Sequence, residues 1–415
     1  MRKMKDSGVP WIGEIPDEWV IANLKRVCEI QGGVGFPIEE QGDQDEEIPF
    51  YKVGDLELSS PDGVVLARPK NSISFETAKI LHAKIIKENS IVYAKIGAAL
   101  LLNRRRIIVF PSIIDNNMSS VHPYDGYYFK WLYFLMCCID FSFYVNPGTV
   151  PALSEGSQGK ISIPIPPQEK QYKIASYLDA KCAQIDATIA SIHALIDKLK
   201  EYKQSVITEA VTKGLDPGVP MKDSGVPWIG EIPEEWENRR LRFLCSITTG
   251  NKDTVDNNPD GEYPFFVRSP KIEKIDTYSF DGEAILMAGD GVGAGKVFHY
   301  YIGKFDYHQR VYNFYNFKYV IGKFLYYYLS VNFIKKIEEA TAKSTVDSVR
   351  LPMLLDFPIV FGSISVQEKI VSYLNATCAR IDAVLADKQA LLDKLAEYKK
   401  SLIFECVTGK REVPA

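Results

Sequence analysis

Apolar residues recur in alternating steps of four and three near the end of each half of the chain. This spacing puts them on one helix face and is typical of a coiled-coil seam. The pattern predicts two long helices, and at about 1.5 Å rise per residue a helix of roughly 40 residues extends about 60 Å. The seam positions are Ile174, Leu178, Cys182, Ile185, Ile189, Ile192, Ile196, Leu199, Val206 and Ala210 in the first helix, and Leu374, Cys378, Ile381, Leu385, Leu392, Leu395, Leu402 and Cys406 in the second. Lysines interrupt the seams at Lys203, Lys388 and Lys399.

Outside these helices, short β-branched and aromatic runs are bounded by Gly, Pro and Asp, which is the pattern of strands. The runs IPFYKVGDL (48–56) and IVYAKIG (91–97) correspond to YPFFVRSPK (263–271) and ILMAGDG (285–291). In each pair the apolar frame is kept while the polar residues change. Two more aromatic segments, KWLYFLM (130–136) and KFLYYYL (323–329), favour buried helices instead.

The chain also contains a repeat at half of its length. MKDSGVPWIGEIPDEW (4–19) and MKDSGVPWIGEIPEEW (221–236) are identical at fifteen of sixteen positions, at an offset of 217 in 415 residues. The helices repeat too: 196–212 aligns with 392–408, and QEK at 168–170 is placed opposite QEK at 367–369 with a three-residue gap behind it. Such a repeat indicates two copies of one unit and a pseudo-two-fold molecule.

These patterns predict an α+β protein with two β-rich globular domains and two long helices. The predicted segments are a repeat motif (1–20), a β-rich domain (21–163), a helix (164–215), a linker with the second motif (216–236), a second β-rich domain (237–362) and a C-terminal helix (363–415). VTGK (407–410) aligns with VTKG (211–214), which directly precedes the second motif. Residues 4–19 are therefore expected beside the second helix, which would make the chain pseudo-circular with its termini close together.

Composition is that of a soluble globular protein, with 46% apolar residues and a net charge of -4. Bulk charge does not indicate nucleic-acid binding, although a local basic patch can still bind phosphate. The seven cysteines show no CxxC pair and no metal spacing, so we interpret them as buried thiols in a reducing cytosol. No signal peptide or membrane span is predicted, because the longest apolar run (131–145) is short and contains Asp140. A cytoplasmic location is expected.

Near-identical helices suit two identical partners, whereas two domains with one apolar frame and different loops suit two different ligands at a fixed distance. A two-part DNA sequence with an unread spacer is such a ligand. An internal duplication that has simply drifted explains the same pattern. The pattern alone leaves both interpretations open.

The motifs carry a family resemblance. The repeated MKDSGVPWIGEIPxEW, the PPQEKQ helix start, the LDKLxEYKxSxIxExVT run and the VTKGLDPGVPMKDSG joint resemble the specificity subunit of type I restriction–modification systems over the whole chain. The resemblance implies two target-recognition domains, each reading one half of a split double-stranded DNA target. It also implies that the helices form an antiparallel coiled coil, set the spacer and hold two methylation subunits. Two ATP-dependent restriction subunits can join such a complex.

The resemblance implies no catalytic residue, metal site or cofactor in this chain. S-adenosylmethionine for adenine-N6 methylation, ATP and magnesium belong to the partner subunits. The sequence agrees, since it has no [ND]-P-P-[FY] methyltransferase motif, no HExxH and no convincing PD…ExK nuclease motif. GDGVGAGKV (289–297) is not a phosphate loop, because Asp290 replaces the required Gly and Val297 the required Ser or Thr. A backbone approach to DNA phosphate, or a plain tight turn, fits this segment better.

Each recognition domain needs phosphate-positioning groups and base-edge readers. Arg reads guanine bidentately and Asn or Gln reads adenine, so a change of residue type at aligned positions would let one frame read two half-sites. The candidates are Lys95, Gly97, Arg104, Arg105, Arg106, Asn116 and Asn117 in the first domain, and Gly291, Gly293, Lys296, His308, Gln309 and Arg310 in the second. His308–Arg310 align with Asp115–Asn117 at an offset of 193. Arg268 and Lys271 are weaker candidates, and for every charged candidate a solvated side chain without a role is the alternative.

Other side chains receive structural interpretations. The motif tryptophans Trp11, Trp19, Trp228 and Trp236 are expected to pack each motif against its neighbour. The helix charges Lys198, Glu201, Lys203, Lys394, Glu397 and Lys399 are expected mostly on a solvated face.

Two other classes of function remain open. A pure interaction scaffold for proteins would not depend on Arg104–Arg106. A stand-alone DNA-binding regulator would bind its site tightly without a partner. An independent enzyme is least favoured, because no constellation of acid, base, nucleophile or metal ligands is visible.

Overall fold

The structure is a computed structural model, and it describes residues 2–57, 59–60, 63–145, 150–341 and 348–414. These residues form two compact units. One unit contains the chain up to His193 and again from Ala390 onward, and the other is Ala194–Gln389. Each unit therefore combines one repeat motif, one β-rich domain and part of each long helix.

In the first unit, the motif hairpin is followed along the chain by a β-rich domain with two small sheets. Its elements are β1 (Met4–Asp6), β2 (Glu14–Pro16), β3 (Val20–Asn23), β4 (Cys28–Gly32), β5 (Ile48–Tyr51), β6 (Ser72–Ile73), α1 (Phe75–Ile80), β7 (Ile91–Ala94), α2 (Ala98–Leu101), β8 (Arg106–Ile107), β9 (Ile113–Ile114), β10 (Met118–Pro123), α3 (Phe129–Cys138), α4 (Glu155–Gly159), β11 (Ser162–Ile165) and α5 (Gln168–Lys213). One sheet has the order β4-β10-β7-β8 and the other β6-β5-β9, while β3 pairs with β11. The predicted helix at 130–136 is confirmed as α3, which is buried along most of its length.

The second unit repeats this plan with one larger sheet. Its elements are β12 (Met221–Asp223), β13 (Glu231–Pro233), β14 (Glu237–Arg240), β15 (Ser246–Thr249), β16 (Tyr263–Phe266), β17 (Glu273–Ile275), β18 (Phe280–Ala288), β19 (Phe298–Tyr307), β20 (Val311–Tyr315), α6 (Gly322–Thr341), α7 (Leu351–Leu355), β21 (Pro358–Phe361) and α8 (Ile364–Val407). The sheet order is β15-β20-β18-β19-β16-β17. The strand β19 pairs with both β18 and β16, so these pairings belong to one sheet. In the first unit, the pairing of β7 with β8 and that of β5 with β9 belong to two separate sheets. The aromatic segment 323–329 lies within α6, as predicted.

The two long helices have the predicted character. They contain 46 residues in α5 and 44 in α8. In the first unit, Ile174 and Leu178 near the start of α5 share a core with Leu402 and Cys406 near the end of α8. In the second unit, residues near the end of α5 meet residues near the start of α8, as the Lys203–Asp382 contact shows. The helices are therefore antiparallel in each unit, as the family resemblance implies.

The seam lysines are paired across the helices. Lys203 Nζ lies 2.6 Å from Asp382 Oδ1, and Lys399 Nζ lies 2.6 Å from Asp186 Oδ1. Both contacts occupy equivalent positions of the repeat, because Lys399 and Asp382 follow Lys203 and Asp186 by 196 residues. The prediction of a solvated face is therefore wrong for Lys203 and Lys399, whose ammonium groups bond the facing helix.

Each repeat motif packs against the end of a long helix. Trp236 shares a core with Ile207 and Val211 of α5, and Trp19 shares one with Val407 of α8. Lys410 Nζ donates to the backbone oxygens of Ile12 and Glu14. The expectation that residues 4–19 lie beside the second helix is confirmed, and the packing roles predicted for Trp19 and Trp236 are confirmed with it.

A buried glutamine lies in the first turn of each long helix and corrects the alignment of the repeat. Gln171 Oε1 accepts a hydrogen bond from Tyr128 N at 2.9 Å, and Gln367 Oε1 accepts one from Ile321 N at 2.8 Å. Each glutamine thus binds the segment that leads into α3 or α6. Gln367 is therefore equivalent to Gln171 and not to Gln168, and the offset of 196 holds without a gap.

The remaining fold predictions concern cysteines and membranes. Burial raises the pKa of Cys28 and Cys245 to about 12 each, so these equivalent thiols stay protonated. Across the part of the chain that the structure describes, no helix is long and apolar enough to span a bilayer.

We expect a larger coupling energy for Asp186–Lys399 than for a surface pair. Both side chains are about a quarter exposed, so water screens the charges less than at Glu169–Lys173, where the glutamate is 79% exposed. A double-mutant cycle of alanine variants, measured by urea unfolding, should give a coupling energy of about 1 kcal/mol for the seam pair and a clearly smaller one for the control pair. Equal values would contradict the assignment of a stabilising seam contact.

Candidate nucleic-acid interface

The two β-rich domains share a backbone frame around one turn. Parallel pairing of β5 with β9 ends at Ile114, and parallel pairing of β16 with β19 ends at Tyr307. The residues that follow, 115–117 and 308–310, therefore occupy equivalent positions. The offset of 193 predicted for these triplets is confirmed by the strand register.

A second loop is bonded to this turn in the same way in both domains. The loop follows β7 in the first domain and β18 in the second, and it also receives a bond from a later segment. The bonds are Lys95 N to Asn117 O (2.8 Å) and Leu153 N to Lys95 O (2.9 Å) in the first domain, and Gly289 N to Arg310 O (2.8 Å) and Val349 N to Gly289 O (2.7 Å) in the second. The backbone thus holds the turn and the loop together without using their side chains.

Two equivalent glycines complete the frame. A Cβ at Gly33 would lie 2.1 Å from Asp115 O, and a Cβ at Gly250 would lie 1.9 Å from Tyr307 O. No real side chain tolerates such distances, so both positions require glycine for the close approach of two backbones. Sequence analysis missed these residues, although their offset of 217 and identical type offered a signal.

The first-domain candidates fall into two groups. Lys95, Gly97, Asn116 and Asn117 lie on the turn and the loop of the shared frame. Gly97 has φ +77° and directly precedes α2, and Asn116 is exposed in the turn. Asp115 Oδ1 accepts the backbone N–H of Asn117 at 2.6 Å, a bond that fixes the turn and uses neither asparagine side chain.

The arginine run has three different environments. Arg104 forms an exposed ion pair with Glu57 at 2.8 Å, and Arg106 is half-buried in β8. Arg105 is only 1% exposed. Its Nη2 donates to Ile139 O at 2.6 Å, its guanidinium stacks at 3.9 Å over Phe141, and burial lowers its pKa.

The prediction that Arg105 binds DNA is therefore corrected. A guanidinium enclosed by its own domain cannot reach a phosphate or a base edge. Three adjacent residues of the same type offer no basis for separating Arg105 from its two neighbours, and only the folded domain shows that the middle one points inward.

In the second domain the candidates Gly291, Gly293 and Lys296 form the loop after β18. Gly291 has φ +70° and open space around it, and Lys296 is exposed. At Gly293 a Cβ would come within 2.6 Å of Arg268 O, so this position requires glycine for the close approach of two backbone segments. Contact with a ligand stays a prediction for Gly291, Gly293 and Lys296.

The turn 308–310 presents two of its three side chains. His308 is 2% exposed, and its Nδ1 accepts a hydrogen bond from Arg310 N at 2.9 Å, so its predicted DNA contact is corrected to a structural role. Gln309 and Arg310 are exposed. They replace Asn116 and Asn117 of the first domain on the same backbone.

Two carboxylates that were not among the predicted site residues lie against these two side chains. Gln309 Nε2 donates to Asp253 Oδ2 at 2.7 Å. Asp290 accepts from Arg268 at 3.1 Å and lies 3.6 Å from Arg310 Nε. Asp253 and Asp290 are distant in sequence from the turn 308–310, so no local sequence pattern predicts these contacts.

The described residues hold no group of three or more His, Cys, Asp or Glu side chains suited to a metal ion. The arrangement of each domain is instead a rigid backbone frame with exposed amides or basic groups at its edge. Such an edge can donate to phosphates and read base edges.

Comparison with known proteins identifies the family. Residues 16–201 and 233–392 both match the family model described as the type I restriction modification DNA specificity domain. The chain belongs to this family and carries the domain twice, which confirms the resemblance noted in its motifs.

Individual relatives agree with this assignment. The chain is similar to the EcoDI specificity subunit of Escherichia coli, with 29% identity over 44% of this chain and 40% of that protein. The matches to three curated relatives span 40, 59 and 63% of their lengths.

The fold is similar to a solved chain from work on complex assembly and conformational transition of the type I R-M system, with a TM-score of 0.72, 15% identity and coverage of 96% and 99%. The HsdS subunit of Thermoanaerobacter tengcongensis gives a TM-score of 0.52 at 15% identity, over 96% of this chain and 98% of that one.

We expect Gly33→Ala to destabilise the first unit by about 3 kcal/mol, because the added methyl group would overlap the backbone at residue 115 and overpacking of a well-packed core costs about 1–3 kcal/mol. Gly35→Ala is the matched control, since nothing lies within 4 Å of a Cβ there. Thermal unfolding of the two variants should separate them clearly. Similar melting temperatures would rule out the close approach.

We expect Arg105→Ala to lower the free energy of unfolding by about 3 kcal/mol, since it removes a charged donor from Ile139 O and leaves a cavity. Arg104→Ala should cost less than about 1 kcal/mol, because its ion pair with Glu57 is solvent-exposed. Urea unfolding of both variants measures the difference. A mild effect of Arg105→Ala would restore Arg105 as a candidate for DNA contact.

Proposed function

We propose that this chain is the DNA-specificity subunit of a type I restriction–modification complex. Each recognition domain reads one half of a split double-stranded target, and the two long helices set the spacer and hold two methylation subunits. Two restriction subunits can join the complex. The chain itself is not catalytic and binds no cofactor: S-adenosylmethionine, ATP and magnesium belong to its partners, and the complex acts in the cytoplasm.

One observation carries the proposal. The two domains build the same frame from the same backbone bonds, yet the turn holds the exposed Asn116 and the half-buried Asn117 in one domain and the exposed Gln309 and Arg310 in the other. A pure scaffold has no need for this contrast. A reader of two different half-sites requires it, because amides and guanidinium groups select different bases.

The near-equivalence of the helices supports two identical partners. The seam contacts Lys203–Asp382 and Lys399–Asp186 recur at the same offset, so both units present the same helix-pair geometry to a partner. The net charge of -4 fits a subunit that gains much of its nonspecific DNA affinity from the methylation subunits.

The test is co-expression with the methylation subunit of the same system in a methylation-free host, followed by genome-wide mapping of N6-methyladenine. We expect a single split motif with a fixed gap that is absent without this chain. A complex that co-purifies but adds no methylation would contradict the proposal and favour a scaffold. If the isolated chain bound its DNA site as tightly as the assembled complex does, the stand-alone regulator would be favoured.

A further inference from the structure

Among the described residues, the second recognition domain contains an ionic cluster at positions where the first has uncharged residues. Asp290 lies between Arg268 and Arg310, 3.1 Å from Arg268 Nη1 and 3.6 Å from Arg310 Nε. The carboxylate is 21% exposed while the Arg310 side chain is 64% exposed. The carboxylate thus lies against the domain, and the arginine projects from it.

This cluster is not part of the shared frame. The β-bridges Ile96–Ala152 and Asp290–Ser348 make Ile96 the counterpart of Asp290. Asn117 is the counterpart of Arg310, and Val53, two residues beyond the end of β5, is the counterpart of Arg268. All three charged residues therefore replace uncharged ones on a common backbone, so the frame forms without them.

The geometry leaves the reading edge of Arg310 available. Asp290 faces Nε, and the described residues show no hydrogen-bond acceptor on Nη1 or Nη2 of Arg310. The backbone on either side is fixed, since Arg310 N donates to His308 Nδ1 and Arg310 O accepts from Gly289 N. A guanidinium held at one edge presents two parallel donors, which match O6 and N7 of guanine in the major groove.

We propose that Arg310 reads a guanine in the half-site of the second recognition domain and that Asp290 is the positioning residue that orients it. This inference rests on the proposed function and specifies one base, guanine, that the second recognition domain selects. Asp290 acts through Arg310, with Arg268 neutralising the second oxygen of the carboxylate. The first domain, with Asn117 at this position, has no guanidinium for the same contact.

The test uses the full chain in complex with its methylation subunit and maps N6-methyladenine across a genome. The variants are Arg310→Ala and Asp290→Asn. Asp356→Asn is the matched control, because Asp356 also pairs with two arginines, Arg240 and Arg242, but in a segment outside the turn and the loop. Asn117→Ala marks the half-site of the first domain.

With Arg310→Ala, the preference for guanine at one position of one half-site should fall about 5- to 150-fold, the equivalent of one bidentate base contact. Asp290→Asn should relax the same position by a smaller factor. The other half-site and the spacer should not change. Asp356→Asn should leave the whole motif intact, and Asn117→Ala should alter only the other half-site.

Several outcomes would overturn the inference while leaving the proposed function standing. These are a second half-site without guanine on either strand, or a uniform loss of methylation with Arg310→Ala, which indicates a phosphate contact. Relaxation by Arg310→Ala but not by Asp290→Asn would remove the role of Asp290. Absence of any split motif in the wild-type complex would instead refute the proposed function itself. Co-purification and an unchanged other half-site exclude misfolding as the cause.

Discussion

The antiparallel seam between the two long helices is the constraint on which the rest of the structure depends. The core of the first unit includes Leu402 and Cys406 from the last helix, and that of the second includes Ile207 and Val211 from the first helix. Neither β-rich domain therefore buries its motif tryptophan using only its own half of the sequence. Apolar burial drives this association without direction. The Lys–Asp contacts supply a polar feature that distinguishes one register from the others, because a slipped helix would leave four charges without partners.

The two β-rich domains share the backbone contacts of the turn and the loop but differ in the side chains that these segments carry. Backbone bonds and the close approaches at Gly33 and Gly250 join turn and loop in both copies. Because these contacts use almost no side chain, the side chains of the turn are free to differ, as between Asn117 and Arg310, without loss of the frame. Carboxylates at Asp253 and Asp290 then orient the side chains of the second domain locally. One architecture can in this way present two chemistries.

Much of this organisation was predictable from residues alone. The half-length repeat, the heptad spacing and the aromatic segments correctly predicted the duplication, both long helices, α3 and α6. The apolar frame also placed 308–310 opposite 115–117. Prediction of individual contacts was weaker: Arg105 and His308 are buried, and Gln168 was aligned where Gln171 belongs. These errors share a cause, since a polar residue in a short loop or at a helix start carries no periodic pattern that shows whether it points inward.

The sequence by itself determined the family, the two-fold duplication and the approximate register of the helices, because these depend on periodicity and on long identical segments. Tertiary structure decided which charged groups are structural and which project outward. Arg105, between two partly exposed arginines, stacks on Phe141, a residue 36 positions away, and Lys203 bonds Asp382. Such pairings join distant parts of the chain through burial and hydrogen-bond geometry. Local sequence cannot specify them, because the free energy that selects each partner arises only when both groups leave water together.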